Sequence, residues 1–235
     1  MQVRIDVSPR RLACVLSLAV LGLSALSLAS GLAGGAHIFA LDQEANLPVW
    51  YASSTLMLCA LLLGAIGTAK HRASQPYSRH WSVLGLIFLY LSLDELVSLH
   101  ERLSVFLEDT LQPSGLLYYP WVVPAAVAVV ALAAMYRSWL RDLPGWLRRR
   151  FVLSALLFLG GALGMEMLSG LQEQCCGVES LGYLFLANGE ELLEMSGVAL
   201  FLHSLVLFAG GHQEDTPRIS TRGDKSSELL EIAPS

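Results

Sequence analysis

The chain has 235 residues, of which 54% are hydrophobic and only 15% are charged, and its formal net charge is −5. Soluble domains carry about 25% charged residues, so this composition excludes an ordinary soluble domain and indicates an integral membrane protein. No segment alternates apolar and polar residues over about ten positions, which excludes a transmembrane β-barrel. Lys and Arg form no basic surface of the kind that binds nucleic acid.

Apolar segments long enough to cross a bilayer, which takes about 20 residues as a helix, recur along the chain. They cover residues 11–33, 50–69, 81–102, 118–138, 151–171 and 181–209. We therefore predict an all-α fold, a polytopic bundle of six transmembrane helices over residues 1–211. Residues 212–235 are polar and short of aromatic residues, which predicts a disordered tail. Residues 1–30 also fit the pattern of a signal peptide, whose cleavage would leave five spans.

The basic residues predict which helix ends face the cytoplasm. Of the 15 Lys and Arg, all except Arg102 lie before span one, between spans two and three, between spans four and five, or after span six. Because positive residues favour the cytoplasmic side, both termini are expected in the cytoplasm, and the expected location is the bacterial inner membrane. The expected partners are membrane lipids, together with a second copy of the chain or another membrane protein.

Spans three, five and six carry carboxylates where lipid-buried sequence rarely has charge. An ionised side chain at the bilayer centre costs roughly 2.5–3.5 kcal/mol, so these acids need protons, a bound cation or a water-filled cavity. On an ideal helix Asp94, Ser98 and Glu101 fall within about 60°, and Glu190 and Glu194 share another stripe. The acids of the three spans are Asp94, Glu95, Glu101, Glu166, Glu190, Glu191 and Glu194.

The depths of these acids within their spans also agree. At a rise of about 1.5 Å per residue, Asp94 lies about 20 Å from the cytoplasmic start of span three, and Glu166 lies at nearly the same height. Glu190 and Glu194 lie about 14–20 Å from the outer start of span six. We therefore predict one polar pocket that opens toward the outer face. Gly160, Gly161 and Gly164 precede Glu166, and the small-xxx-small spacing of Gly160 and Gly164 predicts close helix contact beside the pocket.

A divalent metal site is the first functional hypothesis. Carboxylates with one histidine suit zinc, iron or manganese, and helical bundles supply such ligands from facing helices. Asp94 or His100 would be the general base of a membrane enzyme, such as a hydrolase, that acts on a lipid or small amphiphile. The Glu-x-x-His spacing of di-iron bundles is absent. The predicted metal ligands are Glu101, Glu166, Glu190, Glu191 and Glu194.

Two other functional hypotheses stay open. Intramembrane acids also relay protons or bind cations in transporters, and both halves of this chain end with an acidic helix. Alternatively, the acids pair with basic residues of a partner, and the chain is a non-catalytic membrane subunit. Within the chain, Arg102 could pair with Glu95 or Glu101, which would reduce the need for a metal. The substrate and the reaction do not follow from the sequence.

The outer loops contain further polar and aromatic candidates. Asp42 and Glu44 lie on the same side as the acids and could cover them. Tyr118, Tyr119 and Trp121 precede span four, where they are typical of the aromatic belt at a membrane interface.

The cysteines do not form a disulfide framework. Cys14 and Cys59 lie in spans, where a buried thiol behaves as a small apolar group. Cys175 and Cys176 are expected to be two free thiols in an outer loop, because adjacent cysteines seldom bridge each other without strain.

Overall fold

The computed structural model describes residues 8–33 and 46–211. Within these ranges the chain is helical and contains no β-strand. The predicted tail at 212–235 and the two acids of the first loop, Asp42 and Glu44, lie outside the described residues. The helices are α1 (Pro9–Ala33), α2 (Leu47–Arg72), α3 (Ser78–Val97), α4 (Leu99–Leu111), α5 (Val122–Asp142), α6 (Gly145–Leu159), α7 (Glu166–Cys176) and α8 (Leu181–Ala209).

Six helical segments of the described chain are long and apolar enough to cross a membrane, which is the predicted number. Five are α1, α2, α3, α5 and α8. The sixth is Gly145–Cys176, in which a π-helical segment at Gly160–Met165 joins α6 to α7. α4 is too short to belong to this set, and it lies between α3 and a short 3₁₀ turn at Gly115–Leu117.

Helix α8 is the centre of the bundle. It packs against α1, α2, α6 and α7, and its buried residues concentrate between Met195 and Leu205. A Cβ atom at Gly197 would lie 2.7 Å from the backbone N of Phe158 and 2.8 Å from the carbonyl O of Ser154. The backbones of α8 and α6 are therefore in direct contact, and only glycine fits at this crossing.

An aromatic cluster fills the core near the ends of α2 and α8. The Trp81 ring stacks on Phe208 with centroids 5.2 Å apart, and it meets Trp139 edge-on at 5.1 Å. The ammonium of Lys70 lies 5.8 Å from the centroid of the Trp81 ring, a distance that suits a cation–π contact. These contacts tie α2, α3, α5 and α8 together at one end of the bundle.

A pair of buried serines fixes the other half of α3 against α2. The Ser53 hydroxyl donates to the carbonyl O of Ser92 at 2.8 Å, and the Ser92 hydroxyl donates to the carbonyl O of Ser53 at 2.9 Å. Reciprocal hydrogen bonds of this kind hold apolar helices in one register. Because Ser92 precedes Asp94 by two residues, the pair also positions the acidic end of α3.

The third span ends earlier than the sequence predicted. α3 stops at Val97, and Ser98 has φ 47° and ψ 53°, in the left-handed region that no helix can continue through. The expectation of one helix over residues 81–102 is therefore wrong at its outer end. The stripe predicted for Asp94, Ser98 and Glu101 does not exist, because Glu101 belongs to α4.

The fifth span is continuous but not uniform. Its middle, Gly160–Met165, is a π-helical segment that contains three glycines in the sequence GGALGM. A π-helical turn holds more residues than an α-helical one, so it changes the direction in which the following side chains point. Glu166 is the first residue of α7, directly after this change.

Candidate functional site

Carboxylates from three helices come together where the C-terminal end of α3, the start of α7 and the middle of α8 meet. The charge of Glu194 interacts with those of Glu191, Glu95, Glu166 and Asp94. Each side chain of the group is partly buried. We define the acidic cluster as Asp94, Glu95, Glu166, Glu190, Glu191 and Glu194.

Close contact between the π-helical segment and α8 brings the two sets of glutamates together. A Cβ atom at Gly161 would lie 2.7 Å from the carbonyl O of Glu190 and 2.7 Å from Cγ of Glu194. Gly160 and Gly164, which the small-xxx-small spacing singled out, have no neighbouring atoms within 4 Å of such a Cβ. The predicted close approach is present at Gly161, one of the three glycines before Glu166, and not at the Gly160–Gly164 pair, because the π-helical turn changes which glycine faces α8.

Glu166 and Glu190 form the best-defined contact of the cluster. The indole Nε1–H of Trp121 donates to Oε1 of Glu166 at 3.0 Å, and the hydroxyl of Ser169 donates to Oε2 of Glu190 at 3.3 Å. The two carboxyl groups are also close enough for their charges to interact. An ionised carboxylate can only accept, so a hydrogen bond between two carboxyl groups requires a proton on one of them.

Asp94 and His100 form a second polar contact at the edge of the cluster. The backbone N–H of His100 donates to Oδ1 of Asp94 at 2.9 Å, and Nδ1 of His100 lies 3.0 Å from Oδ2. An ideal continuous helix would place His100 about 120° away from Asp94. The break at Ser98 turns the chain and brings the imidazole back to Asp94, which a continuous helix would not do.

The environment of His100 also sets its protonation. His100 lies on α4, outside the six segments of spanning length. Burial lowers its pKa, but the hydrogen bond to Asp94 and the charges of Asp94, Glu166 and Glu101 outweigh this effect, so the pKa is raised above its usual value. The imidazole ring lies 4.9 Å from the ring of Trp121. Trp121 thus stands between His100 and Glu166.

Glu101 and Arg102 do not take the roles that the sequence suggested. Both side chains are exposed on α4, and Glu101 interacts with the site only through the charge of His100. Among the described residues of the site, the ion pair that forms is that between His100 and Asp94. Arg102 therefore forms no such pair with Glu95 or Glu101, and the acidic cluster has no Lys or Arg partner there.

Above the cluster, two tyrosines hold Glu173. The hydroxyl of Tyr118 donates to Oε1 of Glu173 at 3.2 Å, and that of Tyr119 donates to Oε2. A Cβ atom at Gly170 would lie 3.0 Å from Cβ of Tyr118, so glycine lets the tyrosine segment lie on α7. Burial raises the pKa of both tyrosines, and Glu173 raises it further, so both hydroxyls remain donors. We call Tyr118, Tyr119 and Glu173 the tyrosine clamp.

The sequence assigned Tyr118, Tyr119 and Trp121 to a membrane-interface belt and missed their contacts with the acids. The available signal was the spacing of Glu166, Ser169 and Glu173, which share one face of α7. That face has to meet donors, because buried carboxylates need hydrogen bonds. The indole and phenol groups just before α5 were the nearest donors along the chain.

The predicted metal site is not supported by the geometry. Across residues 8–33 and 46–211, no three or more His, Cys, Asp or Glu side chains are arranged to hold a metal ion. Glu166 and Glu190 instead accept hydrogen bonds from Trp121 and Ser169, and Glu101 lies outside the cluster.

The adjacent cysteines differ from the expectation of two free thiols. Cys175 and Cys176 form a vicinal disulfide in the last turn of α7. Both residues are exposed, whereas Cys59 is buried and free.

Together, the fold and the site define a helical bundle in which the described residues form six segments of membrane-spanning length, three of which contribute to a partly buried acidic cluster. The chain belongs to a family described as a domain of unknown function (DUF8692), which matches residues 12–208. This range contains the whole acidic cluster and the tyrosine clamp. No curated protein and no solved structure matches the chain.

Proposed function

We propose that the chain is a polytopic membrane protein whose acidic cluster binds and releases protons, and that it couples this exchange to the movement of a solute or cation across the membrane. The observation that carries the proposal is the grouping of carboxyl side chains from three helices, which the close contact of Gly161 with Glu190 and Glu194 of α8 brings together. A proton shared by two carboxyl groups is a bound proton that the protein can release. The membrane location is the bacterial inner membrane, with both termini in the cytoplasm.

The surrounding charges favour proton binding over permanent ionisation. Every ionised carboxylate at membrane depth costs roughly 2.5–3.5 kcal/mol. Repulsion between neighbouring carboxylates adds to that cost. A proton bound to one carboxylate removes its charge, and with it both the burial cost and the repulsion. No Lys or Arg of the described residues forms an ion pair with the cluster. We therefore expect bound protons to neutralise its carboxylates.

In this proposal, protons reach the cluster from the outer side of the membrane along two chains of polar side chains. One consists of Asp94 and His100, whose imidazole can take up and pass on a proton. The other is the tyrosine clamp, in which Tyr119 interacts with Tyr183 of α8 as well as with Glu173. Hydroxyl and imidazole groups in sequence are the usual components of proton relays.

This proposal replaces the metal-dependent enzyme as the first hypothesis. A metal site needs ligands that converge on one ion, and no such group occurs among the residues described. The subunit hypothesis needs acids that face a partner. Here the carboxyl groups instead interact with one another between α3, α7 and α8.

A pH-jump measurement on a solid-supported membrane tests the proposal. A step in the outer pH over proteoliposomes should evoke a transient current in the wild type, because protons enter the cluster. Glu166→Gln and Glu190→Gln should each reduce the displaced charge by half or more. Glu179→Gln is the matched control, since Glu179 is exposed on the loop before α8 and lies outside the cluster.

The same preparations should be analysed for bound metals. An absent wild-type transient, or one unchanged in both cluster variants, would contradict proton exchange at this site. Stoichiometric zinc, iron or manganese that is lost in Glu166→Gln and Glu194→Gln would instead restore the metal-dependent enzyme. A co-purifying membrane protein, with neither current nor metal, would favour the subunit.

A further inference from the structure

A second candidate site lies between α1 and α8, away from the acidic cluster. It is a groove with polar residues at one end. A cavity of about 270 Å³ opens there on the side of the bundle. Its apolar walls come from one stripe of α1 and one stripe of α8. The residues that matter most are Ala13, Ser17 and Leu21 of α1, and Ser196, Ala199 and His203 of α8.

The cavity is a groove that runs along the helices. On α1 it extends from Ala13 to Leu21, about 12 Å at 1.5 Å per residue. The carbonyl O of Pro9 lies 3.2 Å from Nε2 of His203, which shows that the N-terminal end of α1 lies beside His203. The groove therefore begins next to the start of α1 and continues to about the middle of both helices.

The end of the groove beside His203 is basic. Nη1 of Arg150 lies 3.3 Å from Nδ1 of His203, and since arginine can only donate, Nδ1 accepts. The proton of the imidazole is then on Nε2, where it donates to Pro9. Arg10 is exposed and lies on the same stripe of α1 as Ser17 and Leu21, one turn before Ala13. Arg10 thus continues the α1 side of the groove by one turn, at the end that lies beside His203.

We propose that this groove binds an anionic phospholipid, with its phosphate at Arg10 and an acyl chain along α1 and α8. The groove lies on the perimeter of the bundle, where the neighbouring Leu18 is 70% exposed and Leu21 is 59% exposed. Basic pockets between membrane helices on the cytoplasmic side bind anionic headgroups. Apolar walls of the groove complement the acyl chain, and the positive charge of Arg10 complements the phosphate.

A second copy of this chain is the competing occupant. Ala13 and Ser17 are small, and small residues four positions apart also allow helices to pack. A helix, however, would not use the positive charge of Arg10, whereas a phosphate would. The two occupants therefore differ in how binding responds to the charge of the lipid.

Native mass spectrometry of the full chain, released from detergent with added lipid, tests the proposal. Phosphatidylglycerol should stay bound at one molecule per chain, and phosphatidylcholine should be lost. Arg10→Gln should lower phosphatidylglycerol occupancy about tenfold, and Ser17→Trp should abolish it by filling the groove. The matched controls are Arg11→Gln and Leu18→Trp, which change the neighbouring residue on a different face of α1.

Three results would overturn the lipid site. One is equal retention of phosphatidylcholine and phosphatidylglycerol, and another is an equal loss in Arg10→Gln and Arg11→Gln. The third is a lipid-free dimer that Ser17→Trp dissociates, which would assign the groove to a second copy of the chain. Thermal unfolding of each variant shows whether a loss of lipid reflects the groove or a loss of fold.

Discussion

Asp94 accepts the backbone N–H of His100 and faces its imidazole Nδ1, at 2.9 Å and 3.0 Å, although the two residues belong to different helices. The contact exists because the chain turns at Ser98, where φ is 47°. It fixes the start of α4 against the end of α3. It also brings a titratable imidazole to the edge of the acidic cluster.

The turn at Ser98 gives a first prediction about stability. A left-handed residue costs roughly 1–2 kcal/mol for an L-amino acid with a Cβ, and glycine avoids this cost. Ser98→Gly should therefore keep or raise the thermal unfolding temperature, whereas Ser98→Val should lower it. Equal unfolding temperatures for the two variants would show that α3 and α4 form one helix in the membrane.

The raised pKa of His100 predicts how stability depends on pH. An unfolded histidine has a pKa of about 6.5, and in the folded protein the value is higher because Asp94, Glu166 and Glu101 favour the imidazolium. The stabilisation is complete below about pH 6.5 and is lost as the pH rises through the folded pKa.

Thermal unfolding across this pH range, for the wild type beside His100→Gln, measures the effect. The difference between the two proteins should shrink as the pH rises from about 6.5. Asp94→Asn, made in the otherwise wild-type protein, should reduce the pH dependence of the unfolding temperature. A difference that stays constant with pH would mean that His100 does not carry the charge.

The contact at Gly161 predicts that neighbouring glycines differ in their tolerance of a methyl group. Gly161→Ala places a Cβ 2.7 Å from a backbone carbonyl of α8, which cannot move away without moving the helix. We expect a loss of about 1–3 kcal/mol in unfolding free energy, as for other overpacked sites. Gly160→Ala is the control, because no atom lies within 4 Å of its Cβ. Equal effects of the two variants would contradict the described packing of the π-helical segment.

The tyrosine clamp predicts a specific role for one hydroxyl. Tyr119→Phe leaves Glu173 with one donor fewer, and a hydrogen bond to a charged group contributes about 1.5–3 kcal/mol. Chemical unfolding in detergent should show a loss of that size. Tyr90→Phe should be close to neutral, since Tyr90 is 53% exposed. A neutral Tyr119→Phe would indicate that the tyrosine segment does not rest on α7.

The sequence predicted the large-scale arrangement because hydrophobic length determines it. The span expected at 181–209 coincides with α8, and the rise per residue was enough to predict that Glu166 and the acids of α8 come close together. Such patterns average over many residues. A local change in one residue therefore barely affects them.

The same averaging explains what the sequence could not predict. The left-handed conformation of Ser98 depends on one residue, and it decides both where α3 ends and where His100 lies. Likewise, the π-helical turn moved the close contact to Gly161 from the glycines that an α-helical period indicated. Tryptophan and tyrosine are common at membrane interfaces. The presence of Trp121 and Tyr119 in the sequence therefore gave no sign that their side chains donate hydrogen bonds to carboxylates.

The central claim, that the acidic cluster holds protons, is tested most directly by infrared difference spectroscopy of the full chain in lipid during a pH titration. At neutral pH the wild type should show the carbonyl stretch of a protonated carboxyl group, and Glu190→Gln and Glu166→Gln should each remove or shift it. Glu179→Gln should leave it unchanged. A wild-type spectrum without protonated carboxyl groups at neutral pH, or one that neither cluster variant alters, would contradict the account.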